Sequence, residues 1–92
     1  MLIVIGHLVT DPSRRDALVA DSRESVRAAR QAPGCLHFAV SADPLDPARV
    51  DVAEKWESRA ALDAFRAGGS DEDGSAFDHV LEFHVEEHDV AG

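Results

Sequence analysis

The sequence has one cysteine, no tyrosine and no asparagine, and half as many basic as acidic residues. Because Cys35 has no partner, no disulfide can form within the chain, which favours a reducing, cytoplasmic location. The chain contains nine Lys and Arg residues and 18 Asp and Glu residues, which gives a formal net charge of −9. Nucleic-acid and anionic membrane surfaces attract clustered positive charge, so we expect neither as a partner.

Long hydrophobic runs are absent as well. The apolar run at 2–9 is followed at once by Thr10, whereas a membrane-spanning helix needs about 20 apolar residues. No basic leader precedes it, so we expect neither a signal peptide nor a membrane span. The sequence also contains no G-x-G-x-x-G motif, no P-loop and no nucleophile elbow, and nucleotide-dependent or serine-hydrolase chemistry therefore has no support.

The composition is that of a folded protein, with 45% hydrophobic residues in 92 positions. We expect one domain over residues 1–92. A domain of this size buries only about 60% of the surface of its unfolded chain. Without disulfides, it is expected to gain further apolar contact from a symmetric partner.

The apolar pattern predicts alternating strands and helices. Asp11 and Pro12 suit the beginning of a helix, Pro33 and Gly34 its end, and Ser58 the beginning of a second helix. The predicted strands lie at 2–9, 35–42, 50–57 and 79–89, and the predicted helices at about 12–32 and 59–67. This order predicts an α+β, ferredoxin-like βαββαβ fold, a four-stranded antiparallel sheet with both helices on one face.

The first strand is apolar on both of its faces. Leu2, Val4 and Leu8 alternate with a second apolar set, Ile3, Ile5 and Val9. Since the helices can cover only one face of the sheet, we expect the other face to pack against a second copy of the chain. The sequence therefore predicts a homodimer that forms through the helix-free sheet face.

Several short motifs occur together in an order and spacing typical of one family. They are MLIVIGHL at 1–8, the turn Pro33, Gly34 and Cys35, two Asp-Pro pairs at 43–48, and EKWES at 54–58 followed by Ala61 and Leu62. Along nearly its whole length the chain resembles the antibiotic biosynthesis monooxygenase family. The resemblance implies a dimeric α+β barrel formed by two ferredoxin-like domains, in agreement with the two-faced first strand.

The resemblance also implies a chemistry. Relatives oxidise anthrones and other polycyclic phenols to quinones with O2, without metal or flavin, while others act on quinols, degrade haem or process a small signalling sugar derivative. In the cofactor-free reaction, a deprotonated substrate reduces O2 itself. The protein supplies an apolar cavity, a base and hydrogen-bond donors for the developing oxyanion. We therefore expect a hydrophobic aromatic or quinol-like substrate, and neither a cofactor nor a metal.

Trp56 and Glu54 are the first candidates for catalytic residues. They share a strand face with Val52, and the resemblance implies that this face lines the cavity, where an indole offers a flat wall and one N–H donor. The alternative for Trp56 is a core position beneath a helix. Desolvation would raise the pKa of Glu54 and make it a general base, whereas an ion pair with Arg59 or a histidine would make it structural.

Histidines are the second group of candidates, since imidazole exchanges protons near neutral pH. His37 is a candidate catalytic proton shuttle and His7 a candidate substrate contact; the alternative for both is hydrogen-bonded structure. The acidic loop at 68–75 is a candidate lid over the cavity. The other predicted substrate-binding residues are Val52, Phe65 and Phe77.

The last strand does not predict a metal site. His84, Glu86 and His88 alternate along one of its faces. Residues four apart on a strand are separated by about 13 Å, so both histidines cannot bind one ion at about 2 Å. We interpret this row as a solvated edge or an interface.

Because the sequence has no Asn and no Tyr, functions other than anthrone oxidation are also considered. Anthrone-oxidising relatives use an Asn where this chain has Val52, together with a Tyr, and many relatives have a helix His where this chain has Phe65. A haem-binding role is not expected, because Phe65 and Gly6 occupy the positions of the iron-binding His and of an Asn in haem-degrading relatives. The alternatives are a non-catalytic binding or stress-related module, and an isomerase or lactone-processing enzyme that uses His37 and Glu54 without O2.

Overall fold

A four-stranded sheet and three α-helices form the framework of the protein. The computed structural model describes residues 1–68 and 80–91. The strands are β1 (Leu2–Thr10), β2 (Cys35–Ala42), β3 (Arg49–Trp56) and β4 (Val80–Asp89). The helices are α1 (Arg15–Asp21), α2 (Arg23–Gln31) and α3 (Arg59–Ala67), with a 3-10 turn at Pro12–Arg14 before α1.

The strands pair in the order β2-β3-β1-β4, and every pairing is antiparallel. Together with the order of strands and helices along the chain, this arrangement confirms the predicted ferredoxin-like α+β fold. Because β1 and β3 are the central strands, their side chains form the middle of both sheet faces.

The first predicted helix is interrupted. It begins as predicted, with the Asp11 carboxylate accepting a hydrogen bond from the Ser13 amide, and Pro12 in the first position. The helix divides at Ser22, whose hydroxyl donates to the Val19 carbonyl at 2.7 Å; such local bonds compete with regular helix hydrogen bonding. None of the described helices is long and apolar enough to cross a membrane.

The helices cover one face of the sheet and bury two apolar clusters there. The first consists of Leu2, Val4, Trp56 and Leu62, and the second of Leu8, Leu18 and Val50. The opposite face has no helix over it in the described part of the chain. On that face, Ile5 is 49% exposed, although it belongs to a central strand.

A register shift at the start of β2 changes the exposure of Leu36. The shift lies between Cys35 and His37, so that Cys35 pairs with Trp56 and packs against the first cluster. Strict alternation along 35–42 would place Leu36 on the same face as Phe38. The extra residue instead leaves Leu36 49% exposed, as a β-bulge does.

Two glycines allow backbones to approach closely. Gly34 has φ +85° in the turn before β2, and a Cβ there would lie 2.6 Å from the Cβ of Ala61 in α3. A Cβ on Gly6 would lie 2.0 Å from the carbonyl oxygen of His84 in β4. Gly6 is therefore required for close pairing of β1 with β4.

We expect Gly6→Ala to destabilise the fold by roughly 1–3 kcal/mol, because the methyl group meets backbone that cannot move without breaking the β1–β4 pairing. Urea denaturation at a fixed protein concentration measures the change. Gly68→Ala is the matched control, since Gly68 has a helical φ of −68° and its nearest contact to a new Cβ is 3.2 Å. Equal midpoints for Gly6→Ala and wild type would contradict this role.

Candidate functional site

Trp56 and Glu54 form a hydrogen-bonded pair on the helix-covered face. Alternation along β3 directs both side chains toward the helices. Trp56 is completely buried, and its indole Nε1–H donates to Oε1 of Glu54 at 2.9 Å. A buried indole N–H needs an acceptor, and here the acceptor is a carboxylate rather than a backbone carbonyl.

Two phenylalanines surround the indole. The ring of Phe65 lies 5.4 Å from that of Trp56, and the ring of Phe38 meets Trp56 edge-on at 6.5 Å. Phe65 belongs to α3, which begins where the Ser58 hydroxyl accepts a hydrogen bond from the Ala61 amide. The Glu54 carboxylate therefore lies beside an aromatic cluster consisting of Phe38, Trp56 and Phe65.

Burial raises the pKa of Glu54 above the ordinary glutamate value. The hydrogen bond from Trp56 and the charge of Arg66 act in the opposite direction, while the charge of Glu87 adds to the increase. Within residues 1–68 and 80–91, no donor is hydrogen-bonded to Oε2 and no cation forms an ion pair with the carboxylate. One carboxylate oxygen is thus held by the indole, and the other has no hydrogen-bond donor among the described residues.

The arginines of α3 pair with a different carboxylate. Arg59 Nη1 lies 2.8 Å from Oε1 of Glu87, and Arg66 Nη1 lies 3.5 Å from Oε2 of the same residue. These contacts hold the pKa of Glu87 below its usual range, mainly through the hydrogen bond from Arg59. The sequence suggested Arg59 or a histidine as an ion-pair partner of Glu54. In the structure, Arg59 forms its ion pair with Glu87 instead.

A shallow apolar surface lies next to Glu54, between the two core clusters. Gly6 pairs with Val52 on one side and Val85 on the other, so a residue without a side chain separates two valines. Val85 is 40% exposed and Phe83, further along the same face of β4, is 60% exposed. We refer to the surface of Gly6, Val52, Val85 and Phe83 as the valine surface.

An open cleft of about 420 Å³ lies at the edge of the aromatic cluster, between the Pro33–Gly34 turn and α3. Its lining includes Ala61, Ala64 and Phe65, but neither Trp56 nor Glu54. This cleft therefore lies beside the aromatic cluster and not at the Glu54 carboxylate.

The predicted histidines lie on the other face of the sheet. His37 pairs with Lys55, and His7 pairs with Asp51 and His84, all at positions that alternate away from the helices. The rings of His7 and His84 stack at 4.8 Å. The sheet separates His37 and His7 from Trp56 and Glu54, so these predicted residues do not form one site.

The remaining predicted residues divide into two groups. Val52 and Phe65 lie on the same side as Glu54, Val52 against the second core cluster and Phe65 against Trp56. Phe77 and most of the predicted acidic lid lie outside the described residues. Within the described ranges, no three His, Cys, Asp or Glu side chains converge on a point that could hold a metal ion.

Glu87 and Arg66 belong to the surroundings of Glu54, although the sequence did not predict them as site residues. A signal for Glu87 was present, because it alternates with Phe83 and Val85 and so shares their face of β4. Its ion pairs with α3 depend on the β1–β4 register, which the sequence pattern alone did not fix.

The antiparallel four-stranded sheet with helices on one face places the protein in the class of small ferredoxin-like α+β proteins. The family model for antibiotic biosynthesis monooxygenases matches residues 1–86. The chain belongs to the antibiotic biosynthesis monooxygenase family.

Solved structures agree with this assignment. A candidate antibiotic biosynthesis monooxygenase from Chloroflexus aurantiacus is 29% identical, with a TM-score of 0.82 over 99% of this chain and 93% of that one. A further antibiotic biosynthesis monooxygenase is 29% identical, with a TM-score of 0.84 over the whole of both chains. A conserved protein from Methanosarcina mazei shares the fold alone, at 11% identity and a TM-score of 0.84 over 95% of this chain and 89% of that one.

A curated relative of unassigned function comes from Synechocystis. It is 27% identical over 62 residues, which amount to 67% of this chain and 42% of that protein. This chain thus spans less than half the length of that relative.

We expect Glu54→Gln to increase stability at neutral pH but not at acid pH. Because the folded state raises the pKa of Glu54, it favours the protonated form, and this stabilisation is lost as pH rises through the folded-state pKa. Glutamine keeps an acceptor for the indole but carries no charge.

Urea denaturation from pH 4 to pH 7 measures the difference between variant and wild type, which should grow with pH. Glu57→Gln, at an exposed site just after β3, is the control and should show no such growth. Parallel stability curves for wild type and Glu54→Gln would contradict the raised pKa.

Proposed function

We propose that the protein is a cofactor-independent monooxygenase that uses O2 to oxidise an electron-rich aromatic substrate of the anthrone or quinol type. Membership of the family supports the reaction class. The observation that carries the proposal is the half-buried Glu54 carboxylate beside an apolar surface, with one oxygen fixed by Trp56 and the other without a donor among the described residues. A carboxyl with a raised pKa in such a place is suited to accept a proton from a weakly acidic substrate.

The reaction needs little from the protein beyond proton transfer and positioning. Glu54 takes a proton from an anthrone-type substrate, and the resulting anion gives electrons to O2. One oxygen atom enters the ring carbon as a carbonyl, and the other leaves as water with the two hydrogens that this carbon loses. An apolar site favours these steps, because it excludes water from the reactive anion.

Trp56 acts in this proposal as a positioning residue. Its ring is fully buried and its N–H is already bonded to Glu54, so it orients the carboxylate rather than forming an exposed wall. The substrate would lie on the valine surface, where Val52 and Val85 flank Gly6. Substrate recognition is then mainly apolar, as is usual for small-molecule sites.

A non-catalytic binding module is the second candidate. It is favoured by the position of His37 and His7 across the sheet from Glu54, which leaves no described histidine beside the carboxylate as a second acid-base group. The same valine surface would then bind a hydrophobic molecule without turnover.

We also propose that two copies pair through the helix-free face. Its middle carries Ile3, Ile5 and Val9 from β1, with His7 between Ile5 and Val9, and Ala53 and Ala39 extend the apolar part from Ile5 across β3 and β2. Charged and imidazole side chains surround this middle, and an isologous contact would cover it. The single cysteine supports a cytoplasmic location for such a dimer.

We expect Glu54→Gln to reduce the rate of O2 uptake with anthrone or 1,4-dihydroxynaphthalene by about 10²- to 10⁴-fold, the usual effect of losing a general base. An oxygen electrode, with no added cofactor, measures this rate. Glu57→Gln is the matched control: this carboxyl is exposed on the following turn, and its loss should leave the rate unchanged.

Substrate consumption at equal rates with and without O2 would contradict the monooxygenase proposal. Binding of either compound without any O2 uptake would favour the non-catalytic module.

We expect Ile5→Glu to convert the dimer to a monomer, because it places a charge in the middle of the apolar contact. Analytical ultracentrifugation measures the mass of each species. Leu45→Glu is the control, since Leu45 is 92% exposed at the tip of the β2–β3 loop and should leave the dimer intact. A wild-type protein that sediments as a monomer at micromolar concentration would refute the dimer.

A further inference from the structure

Glu87 lies on the same face of the sheet as Glu54, at the same level. In the strand register, Val4 pairs with Glu54 of β3 on one side and with Glu87 of β4 on the other. Neighbouring strands lie about 4.8 Å apart, so the backbones of the two glutamates are separated by about 10 Å. Both carboxylates therefore project from the sheet on the side that α3 covers.

Both arginines of α3 engage Glu87, one on each carboxylate oxygen. Arg59 contributes the 2.8 Å contact and Arg66 the 3.5 Å contact. We refer to Glu87 with Arg59 and Arg66 as the Glu87 clasp. The charge of Arg66 nevertheless acts on Glu54, which shows that this guanidinium lies within electrostatic reach of both carboxylates.

The other charged or titratable groups that face Glu54 from the described elements do not provide it with a cation. From β2, the partly buried thiol of Cys35 is near enough to interact with Glu54, and burial raises the pKa of that thiol. From α2, Arg30 donates instead to the carbonyl oxygen of Phe38 at 2.9 Å. Among the described cations, Arg66 is therefore the one whose charge acts on Glu54 while its guanidinium contacts Glu87.

We propose that Glu87 is a positioning residue that keeps Glu54 free to act as the base by holding Arg59 and Arg66 on its own two oxygens. An arginine that moved onto Glu54 would stabilise its charged form and make it a weaker base. The inference rests on the proposed function for the role of Glu54 as a base. The competition between two carboxylates for the same arginines, however, can be measured without a substrate.

The test is the pH titration of the Glu54 carboxyl carbon, followed by 13C NMR in the full chain and assigned by the loss of its signal in Glu54→Gln. We expect Glu87→Gln to lower the midpoint of Glu54 by roughly one pH unit, because Arg66 becomes free to approach it. Glu86→Gln is the matched control: it is the adjacent glutamate of β4 but pairs with Ile5 on the opposite face, and should leave the midpoint unchanged.

A second comparison separates the clasp from simple repulsion between two glutamates. In a background carrying Arg59→Gln and Arg66→Gln, the additional change Glu87→Gln should lower the midpoint much less than it does in the wild-type background. Equal lowering in both backgrounds, or no lowering in either, would overturn the proposal. Should Glu87→Gln fail to fold, Glu87→Asp shortens the same carboxylate, and the midpoint should again fall.

Activity distinguishes this proposal from the function on which it rests. If the protein oxidises anthrone, the acid limb of the pH profile of kcat/KM should move with the NMR midpoint in Glu87→Gln and stay in place in Glu86→Gln. An unmoved acid limb would overturn the role of Glu87 in the reaction. If the wild type shows no turnover, the proposed function fails, and the NMR midpoints still decide whether the clasp exists.

Discussion

The hydrogen bond from the Trp56 indole to the Glu54 carboxylate links the hydrophobic core of this protein to its candidate site. Among the described residues, Trp56 is the largest fully buried side chain, and it packs with Leu2, Val4 and Leu62 in the first core cluster. A polar N–H fixed at that depth requires an acceptor. Glu54 satisfies it with one oxygen at 2.9 Å, and the same apolar surroundings that bury the indole raise the pKa of the carboxyl. Core packing and carboxylate basicity therefore have a common origin.

The sheet divides the molecule into two surfaces of different composition. The helix-covered side holds Glu54, the aromatic cluster and the valine surface, while the other side holds the exposed Ile5 and the stacked His7 and His84. In a 92-residue chain, one face must provide most of the core. The apolar residues of β1 on the second face then have no covering within the described part of the chain, which is the physical basis for proposing a symmetric partner.

Most of the fold could be predicted from the sequence because its local signals agree with one another. Alternation in β2 and β3, the Asp11 and Ser58 caps, and the turn before Cys35 all indicate the elements that the structure contains. The predictions failed where a single residue changes the geometry: the hydroxyl of Ser22 interrupts the first helix, and the bulge at Leu36 exposes a side chain that strict alternation would bury.

The candidate site could be predicted only in part. Alternation was sufficient to place Trp56, Glu54 and Val52 on one face, since all three belong to one strand. The face that His37 occupies depends on the register of β2 against β3, which a bulge shifts. The carboxylate that pairs with Arg59 depends on the register of β4, a strand distant in sequence. The pH dependence of the single indole 1H–15N resonance in the wild-type protein tests most directly whether the indole holds a carboxylate of raised pKa. We expect this resonance to shift with a midpoint above the usual glutamate value of about 4.3, and to lose that shift in Glu54→Gln. A resonance that is independent of pH from 3 to 8 would contradict it.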